Sequence, residues 1–435
     1  MTEIAIVGAG PYGLSIAAHL RGQGIPFRIF GRPMESWLLH MPKSMSLKSD
    51  GFASNISDPN GELTLKKFCA ERDLEYADMQ MPVKLDTFTS YGLTFRNRIV
   101  PELEEKYVSN IERTNDGFRL RLEDGEELTA RRVILAIGIT HYAWMPEVLA
   151  ALPSEFVSHS FRHIEAEKFD GKSVIVVGGG SSATDLAAEL HEGGAKVQLI
   201  ARQKEMNFHS APQIGKKRSL WKRIRHPKSG LGPGLRSAAF CTFPTLFRML
   251  PASLRVEIVR RHLGPSGTWF TKERIDGKVQ VQLGAAIEHA EVKNGRVHLR
   301  VRLAQGGTRE YAADHLVAAT GYHVDLDRLK FLSPELSRQI KDLNRTPILS
   351  SNFESSVPGL YFAGVSAANS FGPMMRFAFG ATFTARHLAK SLVKATAGKR
   401  VAVAAPKAVT AEEQFSRSTA NITNETRNNR AARRI

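Results

Sequence analysis

The chain is poor in cysteine, and this scarcity excludes several classes of protein. Its 435 residues include only Cys69 and Cys241, which lie too far apart in sequence to form a CxxC redox pair or a zinc-binding cluster. Because a disulfide framework is also excluded, we expect a protein of the reducing cytoplasm.

Long hydrophobic runs and several common motifs are missing as well. No run of 18 apolar residues occurs, so no membrane-spanning helix is expected. The first residues, MTEIAIVGAG, enter an apolar strand without a charged n-region or a cleavage site, so we expect no secretory signal. The motifs HExxH, GxSxG and Walker A are absent and the histidines are scattered, so no metal site is predicted.

A glycine motif follows the first predicted strand. Residues 3–30 have the pattern of a buried strand, a tight turn, an amphipathic helix and a second strand. Within the turn, Gly8, Gly10 and Gly13 form GxGxxG. One glycine allows the tight turn, one lets the backbone approach a pyrophosphate, and one lets the helix pack on the strand. The β-α-β context predicts a dinucleotide site.

The same arrangement returns about 170 residues later. Residues 172–202 again predict a strand, a turn, a helix and a strand, with Gly178, Gly180 and Ala183 as GxGxxA. Two such units imply two dinucleotides, namely a bound electron carrier and a nicotinamide that delivers hydride. The second unit ends at Arg202, and a cation there suits the 2′-phosphate of NADPH.

The order of the motifs resembles that of class B flavin monooxygenases, which include flavin-containing monooxygenases and lysine/ornithine N-hydroxylases. The motifs are VGAGPYG at 7–13, a segment containing Trp37, GGGSSA at 178–183, AATGY at 318–322 and GLYFAG at 359–364. The similarity covers about residues 1–394. It implies FAD at the first glycine motif and NADPH at the second.

The resemblance also implies site residues. Those expected to bind FAD are Gly8, Gly10, Gly13, Trp37, Gly364 and Phe371. Those expected to bind NADPH are Gly178, Gly180, Ser181, Ala183, Arg202, Thr320 and Gly321. The catalytic residues are not defined by the motifs, and the candidates are Lys48, Asp50, Asn369 and Ser370.

Two positions depart from the family pattern. Gly31 stands where a ribose-binding Glu is normal, and Val365 replaces the acid of a Gly-Asp pair. Backbone N–H groups, of Gly364 and of a helix predicted over 373–393, would then have to contact the flavin in place of that carboxylate.

The fold class predicted is α/β, with two Rossmann-like domains of which the second is inserted into the first. We expect the first part of the FAD domain at 1–149, the NADPH domain at 150–325 and the returning part of the FAD domain at 326–394. A disordered basic tail is expected at 395–435, where residues from 399 onward hold eight Lys/Arg against three Asp/Glu.

The resemblance implies an FAD-dependent, NADPH-consuming monooxygenase that hydroxylates or N/S-oxygenates a small organic substrate with O2. The missing CxxC excludes the disulfide reductases that share this architecture. Two alternatives stay open: an NADPH-dependent flavin reductase, dehydrogenase or oxidase without oxygen insertion, and a redox-sensing regulatory flavoprotein. The sequence fixes neither the substrate nor the oligomeric state.

The formal net charge of +17 is unevenly distributed, because residues 204–278 hold 16 Lys/Arg against four Asp/Glu. With the basic tail set aside as well, the rest of the chain is neutral, so nucleic-acid binding is not expected. We interpret 204–278 as a cap over the nicotinamide and substrate channel, with Lys216, Lys217 and Arg218 attracting anionic NADPH. A peripheral membrane patch and a solvated insertion are the alternatives.

Overall fold

The computed structural model describes residues 1–162, 165–210, 221, 225–264 and 266–397. The chain divides into a compact unit over Met1–Ser391 and a second unit over Leu392–Ile435, of which the described residues include the end of one helix. Within the described ranges, no helix is long and apolar enough to cross a membrane.

The amino-terminal part alternates strands and helices. Its strands are β1 (Thr2–Val7), β2 (Phe27–Phe30), β3 (Ser46–Leu47), β4 (Val83–Lys84), β5 (Val108–Thr114), β6 (Gly117–Leu122) and β7 (Glu127–Leu135). Its helices are α1 (Pro11–Gly22), α2 (Glu35–Leu39), α3 (Leu65–Glu71), α4 (Leu85–Ile99) and α5 (Glu147–Ala150). Short 3-10 turns lie at Gly51–Ala53 and Thr140–Tyr142.

The middle of the chain repeats this alternation. Its strands are β8 (Val157–His159), β9 (Ser173–Val177), β10 (Lys196–Ile200), β11 (Gln280–Gln282), β12 (Ala285–Lys293), β13 (Arg296–Leu303), β14 (Thr308–Ala313) and β15 (His315–Ala318). Its described helices are α6 (Ser181–Glu192), α7 (Leu235–Thr242), α8 (Pro244–Phe247), α9 (Ala252–Arg261) and α10 (Trp269–Ile275), with a 3-10 turn at Ala166–Phe169.

The remaining elements return to the first sheet. They are α11 (Pro334–Gln339), β16 (Asp342–Leu343), β17 (Thr346–Pro347), β18 (Leu360–Phe362), α12 (Ala368–Phe371) and α13 (Gly380–Ala397). The 3-10 turns of this part are Leu326–Arg328, Gly364–Ala367 and Pro373–Arg376.

The first sheet has the strand order β2-β1-β7-β6-β5, with β18 pairing β7. Strands β1, β2, β7 and β18 run parallel, whereas β5, β6 and β7 pair antiparallel. The sequence predicts the two hairpin turns between them, from Asn115-Asp116-Gly117 and Asp124-Gly125. In register, Ile6 of β1 lies opposite Ile29 and Ile134. All three side chains are fully buried, so this apolar run sits in the core.

The second sheet is wholly parallel, in the order β11-β10-β9-β15-β8. Strand β9 is the central one, and its residues Val174 to Val177 are buried, as expected for a strand covered on both faces. One face carries α6 and α10, and the other faces the antiparallel meander β12-β13-β14. The predicted α/β class with two Rossmann-like units is confirmed; the exact domain boundaries stay predictions.

The helix predicted over 373–393 is wrong in its position. The chain makes a 3-10 turn at Pro373–Arg376, passes through extended Phe377, and begins α13 only at Gly380. The hydroxyl of Tyr12 on α1 lies 3.0 Å and 2.9 Å from the carbonyl oxygens of Met375 and Phe377. The Tyr12 hydroxyl thus holds the non-helical segment that precedes α13 against α1.

The carboxyl end of α13 also departs from the sequence prediction. The tail was expected to be disordered from residue 395, but the helix continues to Ala397. The residues beyond 397 lie outside the described part of the chain, and so do Lys216, Lys217 and Arg218 of the basic insertion.

We predict that Gly13→Ala destabilises the protein. A Cβ at this position would lie 1.8 Å from the Gly8 carbonyl oxygen, so α1 would have to move away from β1. We expect the free energy of unfolding to fall by about 1–3 kcal/mol, the usual cost of overpacking.

Chemical denaturation measures the effect, with Gly264→Ala as the control. A Cβ at Gly264 would have its nearest neighbour at 3.7 Å, an ordinary contact. This control should change stability by less than about 0.5 kcal/mol. Equal losses of stability in the two variants would show that the close approach of Gly13 to the Gly8 carbonyl does not limit stability.

Candidate functional site

Two glycine turns leave the carboxyl ends of the central strands β1 and β9 with the same geometry. Gly8 has a φ of 113° and donates its N–H to Phe30 O at 2.8 Å. Gly178 has a φ of 149° and donates to Ile200 O at 2.9 Å. A Cβ on Gly8 would lie 2.3 Å from the carbonyl oxygen of Ala136, just after β7, and a Cβ on Gly178 the same distance from that of Ala319, just after β15. Both positions therefore require glycine.

Gly10 lies in open space at the start of α1. A Cβ added there would have no heavy atom within 4 Å, and its φ of −85° is one that any residue adopts. No side chain caps α1, and its first turn holds no acidic residue. The free N–H groups of this helix end suit the pyrophosphate of a dinucleotide, and the space over Gly10 gives it room.

The second turn offers similar groups. Helix α6 starts after Gly180 without a side-chain cap and without an acidic residue in its first turn. Ala183 is fully buried, which allows α6 to lie close to β9. The side chain of Ser181 is already used, because its hydroxyl donates to Asp185 Oδ2 at 3.0 Å. At Ser181, the backbone is thus the group left for a phosphate.

A glutamine that the sequence analysis missed lies across the second turn. Gln203 Nε2 donates to the Gly179 carbonyl oxygen at 3.1 Å. A Cβ on Gly179 would come within 2.4 Å of this side chain. The sequence signal is that Gln203 follows β10 by three residues. Chain segments that leave neighbouring parallel strands meet at one edge of the sheet, so a residue at this position lies near the turn after β9.

Arg202 is exposed at the carboxyl end of β10. Its guanidinium makes no hydrogen bond or ion pair with the described part of the chain. Its charge does reach His323, where burial, Arg328 and Arg202 together lower the pKa. Among the described residues, Arg202 is therefore a cation without a partner at the carboxyl end of β10.

The ATGY segment, residues 319–322, is hydrogen-bonded to residues 140–144, which lie between β7 and α5. Trp144 donates its N–H to Gly321 O at 2.9 Å, and the Thr320 hydroxyl donates to Trp144 O. The rings of Trp144 and His323 stack at 4.5 Å. Because the Thr320 hydroxyl already donates to a backbone carbonyl, the role of this side chain is to hold the loop in place.

The turn after β18 lies beside α1. Gly364, at a φ of 71°, would bring a Cβ to 3.6 Å from the Tyr12 ring. Ser370 Oγ accepts the Leu349 N–H at 3.3 Å, and the Phe371 ring stacks on Phe353 at 3.9 Å. The side chains of Ser370 and Phe371 are thus occupied in the core.

Asn369 differs from its two neighbours. Its side chain is half-buried and makes no hydrogen bond with the described residues. Its backbone carbonyl accepts a hydrogen bond from Arg255 Nη1 at 3.0 Å. Of the candidates in this turn, Asn369 is therefore the one with a free polar side chain.

Trp37 and Asp50 have structural contacts. The Trp37 ring meets Phe88 of α4 edge-on at 4.8 Å. Asp50 Oδ1 accepts the N–H of Gln80 at 2.8 Å and so fixes the loop before α4. Gly31, at a φ of 130°, lies against Ala9. Trp37 thus packs α2 against α4, and Gly31 lies next to the first glycine turn. One carboxylate oxygen of Asp50 is already used in a structural hydrogen bond.

Lys48 connects the two halves of the molecule. Its Nζ donates to the carbonyl oxygen of Ser266, which lies between α9 and α10. The acid whose charge acts on Lys48 is Asp185 of α6, which is 3% exposed and accepts the Thr271 hydroxyl at 2.6 Å. Burial lowers the pKa of Lys48 and raises that of Asp185, while attraction between the two charges acts oppositely on both.

Asp185 was missed in the sequence. The signal was an acidic residue four positions after Ser181, on the otherwise apolar face of a helix. Across the described ranges, no three His, Cys, Asp or Glu side chains come together to hold a metal ion.

The described part of the basic insertion packs on the turn after β18. Helices α8 and α9 both contact α12. Arg376 Nη1 also donates to the carbonyl oxygens of Val259 and His262, each at 3.0 Å. The insertion therefore covers the part of the molecule that follows Gly364.

Comparison with known proteins shows a family and a fold. A model of the pyridine nucleotide-disulphide oxidoreductase family matches residues 5–226, about half of the chain. A probable indole-3-pyruvate monooxygenase, YUCCA9, of Arabidopsis thaliana is 30% identical over 219 residues, which are 45% of this chain and 46% of the relative. Ferredoxin–NADP reductase 1 of Bacillus thuringiensis is 28% identical over 284 residues, 64% of each chain.

The chain thus spans between about half and two thirds of these relatives. Among solved structures, an ornithine N-hydroxylase of Kutzneria sp. 744, solved with reduced FAD, NADP+ and L-ornithine, has a TM-score of 0.69. Its sequence identity is 17%, and the match covers 91% of this chain and 100% of that one. This similarity shows the fold of a two-dinucleotide flavoprotein.

We predict that Gly10→Val yields a folded protein without flavin. The valine side chain has room in the protein but fills the space where the pyrophosphate would lie. The measurements are the flavin-to-protein absorbance ratio after purification and thermal unfolding of the apoprotein. Retention of flavin at the wild-type ratio would contradict the assignment.

Proposed function

We propose, on the premise that the chain belongs to the pyridine nucleotide-disulphide oxidoreductase family, that it is an FAD-dependent, NADPH-consuming monooxygenase. The observation that carries the proposal is the pair of matching glycine turns on two parallel sheets, each with an uncapped helix end. Two sites of this kind suit one dinucleotide each.

FAD fits the first turn. The space over Gly10, the free N–H groups of α1 and the closely packed Gly8 and Gly13 form the cradle that a pyrophosphate needs. Gly364 adds a turn beside α1, and the contacts of Trp37 and Phe371 are proposed to support the flavin through packing. When bound, FAD would supply the redox chemistry, namely acceptance of hydride and reaction with O2.

NADPH fits the second turn. In this proposal, Gly178, Gly180 and Ala183 let the pyrophosphate approach α6, and Ser181 contributes its backbone. Thr320 and Gly321 shape the loop after β15, and Arg202 pairs with the 2′-phosphate. The free, exposed guanidinium of Arg202 supports this role, because Arg forms strong charge-assisted hydrogen bonds with phosphate.

The protein's own contribution is positioning and exclusion of water. Lys48 binds the Ser266 carbonyl and thereby holds the segment after β3 against the insertion. Helices α8 and α9 cover the turn that carries Asn369. Such a site needs no strong catalytic acid or base, because the reactive atoms belong to the cofactor and O2. Asn369 is the candidate for hydrogen bonding to the substrate.

The same proposal specifies the partner molecules and the cellular compartment. The partners are a small organic molecule that is hydroxylated or N/S-oxygenated, and O2. Cys69 and Cys241 are both free thiols, which suits the reducing cytoplasm. No role is proposed in nucleic-acid binding.

The second candidate is an NADPH-dependent flavin reductase or oxidase without oxygen insertion. The observation that favours it is the 28% identity with a ferredoxin–NADP reductase over 64% of the chain. The sequence contains no CxxC, so electrons would have to leave the flavin without a dithiol relay. A redox-sensing regulatory flavoprotein is the third candidate.

Coupling between NADPH oxidation and product formation tests the three functions. The FAD-loaded enzyme is reduced with NADPH without oxygen, then mixed with O2 and a set of amines, sulfides and carboxylic acids. A monooxygenase yields one oxygenated product for each NADPH consumed. Hydrogen peroxide without product would identify an oxidase, and transfer only to an added acceptor a reductase. Very slow reduction by NADPH would favour the regulatory role.

We predict that Arg202→Ala selectively weakens the use of NADPH. Loss of one hydrogen-bonded contact with a charged group costs about 1.5–3 kcal/mol. This corresponds to roughly ten- to a hundred-fold in KM for NADPH, while KM for NADH should hardly change. Stopped-flow flavin reduction measures both values. Equal losses with both nucleotides would show that Arg202 acts on structure.

A further inference from the structure

The described part of the basic insertion has far more cations than acids. Residues 225–264 contain seven Lys/Arg and one acidic residue, Glu257. Glu257 already pairs with Arg260 and Arg261 on the same helix. No described carboxylate pairs with Arg248 or Arg255, so the two half-buried guanidinium groups have unmatched charges.

Both arginines also have an unsatisfied donor. The Nε atoms of Arg248 and Arg255 are buried and have no hydrogen-bond partner in the described structure. An unpaired buried donor costs stability, and more so when it belongs to a charged group. Burial and the neighbouring charge of Arg248 both lower the pKa of Arg255. The pair therefore lacks an anion.

The location connects this pair with the proposed flavin site. Arg255 Nη1 donates to the carbonyl oxygen of Asn369 at 3.0 Å, at the turn after β18. That turn follows Gly364, which lies beside Tyr12 of α1. Arg202, the cation proposed for NADPH, stands instead on the second sheet. The position thus separates this pair from the cation proposed for NADPH.

We propose that Arg248 and Arg255 bind the carboxylate of a small organic substrate beside the turn at Asn369. The inference rests on the monooxygenase function proposed above, and it names the class of substrate. A carboxylate presents two oxygens to guanidinium groups, and it would supply acceptors for both buried Nε–H donors.

A lipid surface fits the observations less well. Phe243, Leu246 and Met249 are 55%, 54% and 79% exposed and lie near Arg248 in sequence. A bilayer would attract exposed cations, whereas the unsatisfied atoms here are buried Nε groups. Buried donors of this kind call for an acceptor inside the structure, whereas a plane of headgroups contacts only exposed groups.

Binding by small carboxylates tests the proposal. Isothermal titration of the FAD-loaded protein compares acetate, benzoate and 3-phenylpropionate with the corresponding amides. In wild type, at least one acid should bind more tightly than its amide. Arg255→Gln and Arg248→Gln should each weaken binding of that acid about ten-fold or more, and leave the amide unchanged. Arg255→Lys should retain part of the preference.

Arg260→Gln is the matched control, because this arginine lies on the same helix, is exposed and is paired with Glu257. It should leave acid binding and FAD content at wild-type values. The binding measurement needs no turnover, so it can succeed even where the oxygenation experiment shows a reductase. Turnover of neutral substrates alone would leave the monooxygenase function standing without this site.

Three results of the binding measurements would overturn the inference. The first is a wild-type protein that binds no acid more tightly than its amide. The second is loss of FAD from Arg255→Gln, which would assign the pair to the flavin phosphates. The third is unchanged acid binding in both variants with loss of binding to anionic phosphatidylserine vesicles, which would assign the pair to a membrane surface.

Discussion

The structure depends on the close approach of a helix to the strand that precedes it, made twice. Gly8 passes next to the Ala136 carbonyl, and Gly13 presses α1 onto the Gly8 backbone. Gly178 and the buried Ala183 repeat the arrangement on the second sheet. Because no larger side chain fits, each helix end lies directly above the carboxyl end of its sheet, where its free N–H groups face a ligand.

Hydrogen bonds between the segments that leave the two sheets then hold the site together. The Tyr142 hydroxyl lies 2.9 Å from Ser366 Oγ, and Trp144 binds Gly321. Lys48 binds Ser266, while the Tyr12 hydroxyl holds the carbonyls around Met375. These polar side chains are used in holding the site together, so recognition is left to backbone N–H groups, to Asn369 and to a few cations.

The distribution of charge agrees with a protein that binds anions. The acids near the first sheet edge are already matched, since Glu104 and Glu126 both pair with Arg28. Asp185 is buried between hydroxyl donors. By contrast, Arg202 is free, and Arg248 and Arg255 have no carboxylate partner among the described residues. Arg202 marks one such place and the pair of Arg248 and Arg255 a second, and the proposals assign one anion to each.

The sequence by itself determined the two β-α-β units, their glycine turns and the antiparallel hairpins between them. These features rest on local rules: the alternation of apolar residues, the steric demands of glycine and the turn preferences of Asn-Asp-Gly. The sequence also pointed to Arg202, because the end of a strand that follows a glycine unit has a fixed place in the fold.

Only the tertiary structure decided which side chains are free. In the folded chain, Asp50 accepts the Gln80 N–H, Phe371 stacks on Phe353, and the last helix begins only at Gly380. It also brought Arg255 to Asn369, more than one hundred residues away. No local pattern encodes such contacts, because a hydrogen bond between distant residues depends on how the whole chain packs.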